Sequence, residues 1–262
     1  MNRITISDDI LTELDDTIDV ELDECREFFG VCKIIITPKC DSKLELVYNV
    51  DAFKADVIVN LKENINFELF ELRESNNVKV KYEYNLDRAS NLKVSKFYDV
   101  KNIKELDTVN LNGEGANVEY ILKTIANDKQ DFDLYLNHNA KSTISKVINS
   151  GVNISGSINF NVEGIVPSGI SGCELNQNNR IITFNDNVCK IDPKFIIDEN
   201  DVVADHAALI GRFSDEELFY LKSRGIDHNS AINLLVKGFL LDSIEDERLN
   251  KIIEKYWRWY NA

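Results

Sequence analysis

The chain reads as a mainly β protein with a short α-helical tail, on three observations. Short runs of alternating apolar and polar residues follow one another from about Glu21 to Asn200. The segment Ser214-Asp-Glu-Glu217 has the form of a capping box and opens a stretch whose apolar residues recur at helical spacing. The 262 residues contain only 11 Gly and 3 Pro, while Asn and Asp are abundant at the breaks between runs, a composition suited to a coil that turns gradually rather than to tight hairpins.

Val78, Val80, Tyr82, Tyr84 and Leu86 alternate with polar residues, as do Val152, Ile154, Ile158, Phe160 and Val162 around Gly156. Period two predicts strands with one buried face. Further strands are expected at 32–37, 44–50, 56–61, 65–72, 132–136, 180–184 and 194–197, with strands entered by about residue 31. A sandwich, a barrel or a stacked β-helix could each be built from such a string, and the Asn/Asp-rich corners tilt the balance toward the β-helix. No strict repeat stands out.

After about Gly211 the pattern becomes helical. Ser214 and Glu217 start a helix carrying Leu218, Phe219 and Leu221, and Gly225 stops it. Asp227 caps a second helix with Ala231, Leu234, Leu235 and Phe239 as its apolar face, and a third runs from about Ser243 to Tyr260. The expected division is an N-terminal segment over 1–20, a β core over 21–211 and a helical domain over 212–262. Both tryptophans fall in Lys255-Tyr-Trp-Arg-Trp-Tyr260, read as a helix end packed on its neighbours, with a partner anchor as the other reading.

The excess of 45 Asp/Glu over 30 Lys/Arg gives a formal charge of −15, which opposes nonspecific binding to nucleic acid or anionic membranes. No signal peptide or apolar span of about 18 residues appears, so the expectation is a soluble cytoplasmic protein. The five cysteines, Cys25, Cys32, Cys40, Cys173 and Cys189, are odd in number and form no CxxC pair, so reduced thiols are expected. No nucleotide-binding glycine loop, HExxH or GxSxG occurs, and the chain is read as a non-enzyme that binds no nucleotide. His138 reads as a corner histidine bonded to backbone, His228 as solvated, and His206 as a structural histidine at a strand end. Imidazole and thiolate can ligate iron, but from the residues alone Cys173 and Cys189 read as small core residues.

The run from Phe132 onward resembles the SufB/SufD family, the scaffold subunits of Suf iron–sulfur cluster assembly. The resemblance rests on Asp205–Gly211, a small-residue segment with His before Gly; on Glu217–Ile226, which contains FYLKSRGI; and on Ala231–Phe239, an A-xx-LL-xx-GF segment. Asn137–Ser145 and Asn179–Phe184 are similar more weakly. The resemblance implies a right-handed parallel β-helix with a C-terminal helical domain, and a complex with a SufC-type ABC ATPase docked through Leu218, Phe219, Tyr220, Arg224, Gly225 and Phe239. It also implies pairing with a second SufB/SufD-like chain, as a homodimer or heterodimer, near His206. A transient iron–sulfur cluster would form there, with Cys173 or Cys189 as helpers. The chain departs from the family in lacking a long helical N-terminal region. In ungapped register it also has Asn178 where SufB-like chains carry an interface cysteine, and Ala207 after the histidine; both features lean to the SufD side. The competing readings are an adaptor that binds the ATPase without holding a cluster and, remotely, a β-helix carbohydrate-active protein, for which no carboxylate pair stands out.

Overall fold

A computed structural model describes residues 2–7, 10–23, 32–242 and 246–259. The β core is a parallel β-solenoid of about seven turns, followed by three helices. The fifteen strands are β1 (Asn2–Ile6), β2 (Ile10–Glu13), β3 (Ile18–Asp23), β4 (Cys32–Pro38), β5 (Ser42–Asn49), β6 (Ala52–Leu61), β7 (Asn66–Leu86), β8 (Asn91–Leu111), β9 (Asn117–Ala126), β10 (Lys129–His138), β11 (Ile144–Asn153), β12 (Ser157–Val166), β13 (Cys173–Thr183), β14 (Lys190–Ile197) and β15 (Val202–Gly211). The alternating sequence therefore builds a β-helix, and the sandwich and barrel fall away.

Two walls enclose the core. The first stacks β1, β5, the front halves of β7 and β8, then β9, β11, β13 and β15 in parallel register. The second stacks β4, β6, the rear halves of β7 and β8, then β10, β12 and β14. Inward side chains such as Val57, Val80, Tyr82, Leu92, Val118, Leu134 and Phe160 form one continuous cluster. Burying apolar surface between rungs is what holds such a stack together, since each rung has too little surface to fold alone.

Asparagine and aspartate do more than tolerate corners. Asn85 donates to Asn60 at 3.1 Å, Asn110 to Asn85 at 2.9 Å and Asn137 to Asn110 at 2.8 Å, forming an amide ladder up the solenoid. A second ladder joins Asp41, Asn66 and Asn91. Partners in the early rungs lie 25 residues apart, and later partners lie 27 and then 30 apart. A repeat is thus present in the sequence, loosened by insertions at the corners.

Strands begin earlier than residue 31. β1 pairs in parallel with β5, so the first residues belong to the stack, and the antiparallel pairs β1/β2 and β3/β4 lie at its N-terminal end. The run around Gly156 is not one strand but β11 and β12 separated by a corner. A Cβ on Gly156 would lie 2.0 Å from the Asp128 carbonyl oxygen, so only glycine fits where the two corners touch.

The helices are α1 (Asp215–Ser223), α2 (His228–Leu241) and α3 (Glu247–Trp259). Ser214 and Glu217 form the expected reciprocal capping box, Asp227 caps α2, and Gly225 adopts φ of 84° after α1. The buried face of α2 is Ala231, Ile232, Val236 and Leu240, rotated from the expected one, and Leu234 is exposed. The rotation follows from where α2 packs. It lies with α3 on the outer face of the first wall, against Leu72, Phe97, Ile121, Ile125 and Val152. Ion pairs fasten this contact: Arg248 to Glu45, Lys123 to Asp242 at 2.6 Å, and Lys255 to Asp99 at 3.3 Å beside the Tyr256–Asp99 hydrogen bond. The side chains of Trp257 and Trp259 lie outside the described residues, as do Cys25 and the side chain of Cys32.

Candidate functional site at the open end of the solenoid

The C-terminal end of the solenoid differs from its interior because no further rung covers it among the described residues. Along β13, Cys173, Leu175, Gln177, Asn179 and Ile181 point inward and are buried. Their register partners on β15 are Val202, Ala204, His206, Ala208 and Ile210, so His206 occupies an inward position yet is exposed. Its ring leans on Phe195 of β14, with centroids 5.3 Å apart. Ile191, Pro193, Phe195 and Ile197, the inward row of β14, are only half-buried for the same reason. On the outer side of β15, Val203 is 67% exposed and Leu209 52% exposed.

The three ligand candidates do not converge within one chain. Cys173 is opposite Val202, four residues before His206, which puts it roughly 13 Å back along the strand. Its thiol is buried with Val166 and Leu175 and lies 3.3 Å from the Thr143 hydroxyl. Cys189 sits just before β14, where its sulfur accepts from Asn153 Nδ2 at 3.2 Å and from the Ile158 backbone N–H at 3.4 Å. Phe195, which touches His206, is six residues further along, about 20 Å at strand rise. Asn178 pairs with Ala207 on the exposed outer face, so no thiol stands beside His206 in register. Among the described residues, no group of three or more His, Cys, Asp and Glu is placed to hold a metal ion.

His138 differs from expectation. It is buried, and its ring nitrogens contact the hydroxyls of Thr143 at 2.7 Å and Ser145 at 2.9 Å rather than backbone. Burial pushes the imidazole down to about 4, so it is neutral at physiological pH. His228 is exposed at the start of α2, as expected.

The candidate docking residues divide. Phe219 and Tyr220 project from α1, 74% and 57% exposed, and Arg224 stacks over the Tyr220 ring at 5.2 Å. Leu218 and Phe239 are partly buried in the contact between helices and wall, with Phe239 edge-on to Phe213 and beneath Arg180. Gly225 serves the turn.

The inward phase also contains a buried ionic network that sequence reading missed. Glu71, Arg73, Lys96, Glu105 and Asp107 all point into the lumen. Arg73 donates to Glu71 at 2.7 and 2.9 Å, and Lys96 bridges Glu105 at 2.8 Å and Asp107 at 2.5 Å. The Lys96 ammonium also sits 3.7 Å from the centroid of the Tyr82 ring. The signal was available: in Phe67-Glu-Leu-Phe-Glu-Leu-Arg73, Glu71 and Arg73 share the phase of the buried Phe67 and Leu69.

A model of the SufBD core domain of the SUF system for FeS cluster assembly matches residues 39–239. The chain belongs to the SufBD family. It is 30% identical over 144 residues to the iron–sulfur cluster assembly protein SufD of Bacillus subtilis, covering 53% of this chain and 33% of that protein. It is 26% identical over 155 residues to SufD of Escherichia coli, covering 54% and 35%. A SufBD family protein of Mycobacterium leprae is 42% identical over 64 residues, covering 24% and 16%. The matched segments thus span about a third or less of the relatives' length. Among the described residues no helix is long and apolar enough to cross a membrane.

Proposed function

We propose that this SufBD chain is a scaffold subunit of an iron–sulfur cluster assembly complex whose open solenoid end is covered by a second SufB/SufD-like chain. The observation that carries the reading is the half-buried last rung. Among the described residues its inward side chains sit in core positions without a covering layer, and β15 has no strand partner on its outer edge, which is flanked by exposed Val203 and Leu209. Such an edge favours strand addition. His206 lies at the centre of this face and would face the second chain. A cluster needs several ligands, and among the described residues no group of three or more His, Cys, Asp and Glu is placed to hold one, so the remaining ligands would come from across the interface.

The exposed Phe219 and Tyr220 on α1 fit a protein partner, which we assign to a SufC-type ATPase. ATP hydrolysis would belong to that partner. Anaerobic reconstitution with iron and sulfide tests the ligand role. A charge-transfer absorbance that weakens in His206→Ala is expected, and unchanged absorbance removes His206 from the site. The buried thiol of Cys173 and the presence of Asn178 beside Ala207 favour a second reading, an adaptor that pairs and docks without ligating. Absence of metal uptake by the wild-type assembly, with ATPase capture lost in Phe219→Ala, would select it.

A further inference from the structure

Unpartnered buried polar atoms occur at several places in the solenoid, and Gln177 is distinguished from the others by having both of its polar atoms unpartnered. Gln177 is 1% exposed, and neither its amide oxygen nor its amide nitrogen has a partner. Next to it on the inward face, Asn149 donates to Asn179 at 2.8 Å, yet Asn149 Oδ1 and Asn179 Nδ2 are again unpartnered. An unpaired buried amide atom costs about 1–3 kcal/mol, so an apolar residue of the same shape would serve packing better. The register partner of Gln177 is His206. Adjacent strands lie about 4.8 Å apart, and both side chains point to the same side, so a rotamer change brings the amide to the imidazole.

We infer that Gln177 is a positioning residue for His206: its amide hydrogen-bonds one ring nitrogen and leaves the other, with its lone pair, directed to the open end. The amide oxygen accepts from the ring N–H, and this bond fixes the tautomer whose other nitrogen keeps its lone pair. Histidine ligands commonly depend on such a partner for ring orientation. The inference rests on the proposed ligand role of His206 for its purpose, but not for its geometry.

The test uses the full chain labelled with 15N-histidine, whose three histidines give a tractable long-range 1H–15N spectrum. At mildly alkaline pH, where imidazole is neutral, wild-type His206 should show one dominant tautomer. Gln177→Leu should shift it to the mixture of a solvated ring, with an unchanged or higher melting temperature, because two unpartnered atoms are removed. Gln177→Asn, which withdraws the amide by one methylene, should lose the preference as well. An unchanged His206 tautomer in both variants overturns the inference. A melting temperature lowered by several degrees in Gln177→Leu also overturns it, since that marks a structural residue. The two claims fail separately. Unchanged iron–sulfide absorbance in His206→Ala removes the ligand role and leaves the tautomer result standing, whereas an unchanged tautomer removes Gln177 alone.

Discussion

The lumen of the solenoid is polar in two places, and they are built on opposite principles. In the middle rungs, charges are buried completely and paired. Burial works against the Glu71 carboxylate, but Arg73 and Lys96 outweigh it and hold the group below its ordinary range. In the last rungs, Gln177 has neither amide atom partnered, and Asn149 and Asn179 each leave one amide atom unpartnered, near an exposed histidine. The middle is closed by its own ion pairs, although Arg73 Nη1 and Asp107 Oδ1 stay unpartnered there, whereas the end is left uncovered among the described residues.

The largest expected effect breaks the closed region. Lys96→Met leaves Glu105 and Asp107 facing each other without their cation, and should cost about 3–5 kcal/mol in urea unfolding. A loss below about 1 kcal/mol would mean that the Lys96 ammonium does not hold these two carboxyls together.

A smaller effect concerns the proton count of the same network. The single Tyr98 hydroxyl proton lies between Glu71 Oε1 at 2.9 Å and Glu105 Oε2 at 2.8 Å, so one carboxyl must donate to the tyrosine oxygen. Burial first, and then the neighbouring Asp107, push Glu105 up to about 8 from its ordinary 4.5. The folded chain therefore holds a proton on Glu105 at neutral pH that the unfolded chain releases. This contribution is full below about 4.5 and is lost as pH rises to about 8, by at most about 1.4 kcal/mol per pH unit. Stability measured across this window should flatten in Glu105→Gln, and an unchanged slope would place the proton elsewhere.

The smallest stability effect belongs to the open end. Val203→Asp, on an exposed edge, should change monomer stability by less than about 0.5 kcal/mol. It should nevertheless abolish self-association or pairing in sedimentation experiments. Retained pairing would move the interface away from β15.

Much of this contrast was legible in the residues, and the rest was hidden for identifiable reasons. The strand phases, the Ser214 and Asp227 caps and the Gly225 stop follow from local chemistry and appear as expected. The repeat was obscured because corner insertions lengthen it from 25 to 30 residues, although the Asn60, Asn85 and Asn110 ladder keeps the early spacing constant. Glu71, Arg73 and Lys96 give no signal by residue type because charged residues seldom face a core, and only their phase relative to Phe67 and Val94 places them in the lumen. Gln177 was invisible for the same reason. The apolar face of α2 was misjudged because Leu234 and Ile232 are equally apolar, and the outer face of the first wall decides between them.

Helix α3 has a mechanical consequence. It reaches Glu45 on β5 through Arg248 and Asp99 on β8 through Tyr256, contacts spanning 203 and 157 residues of sequence. Eight residues of helix advance about 12 Å, close to the roughly 10 Å between strands two places apart, so α3 lies across the stack as a splint. A plain solenoid can fray rung by rung from either end, since each rung knows only its neighbours. The splint ties early rungs to the far end of the chain, so a force on the C-terminal helices is delivered to the middle of the β core, bypassing the rungs between.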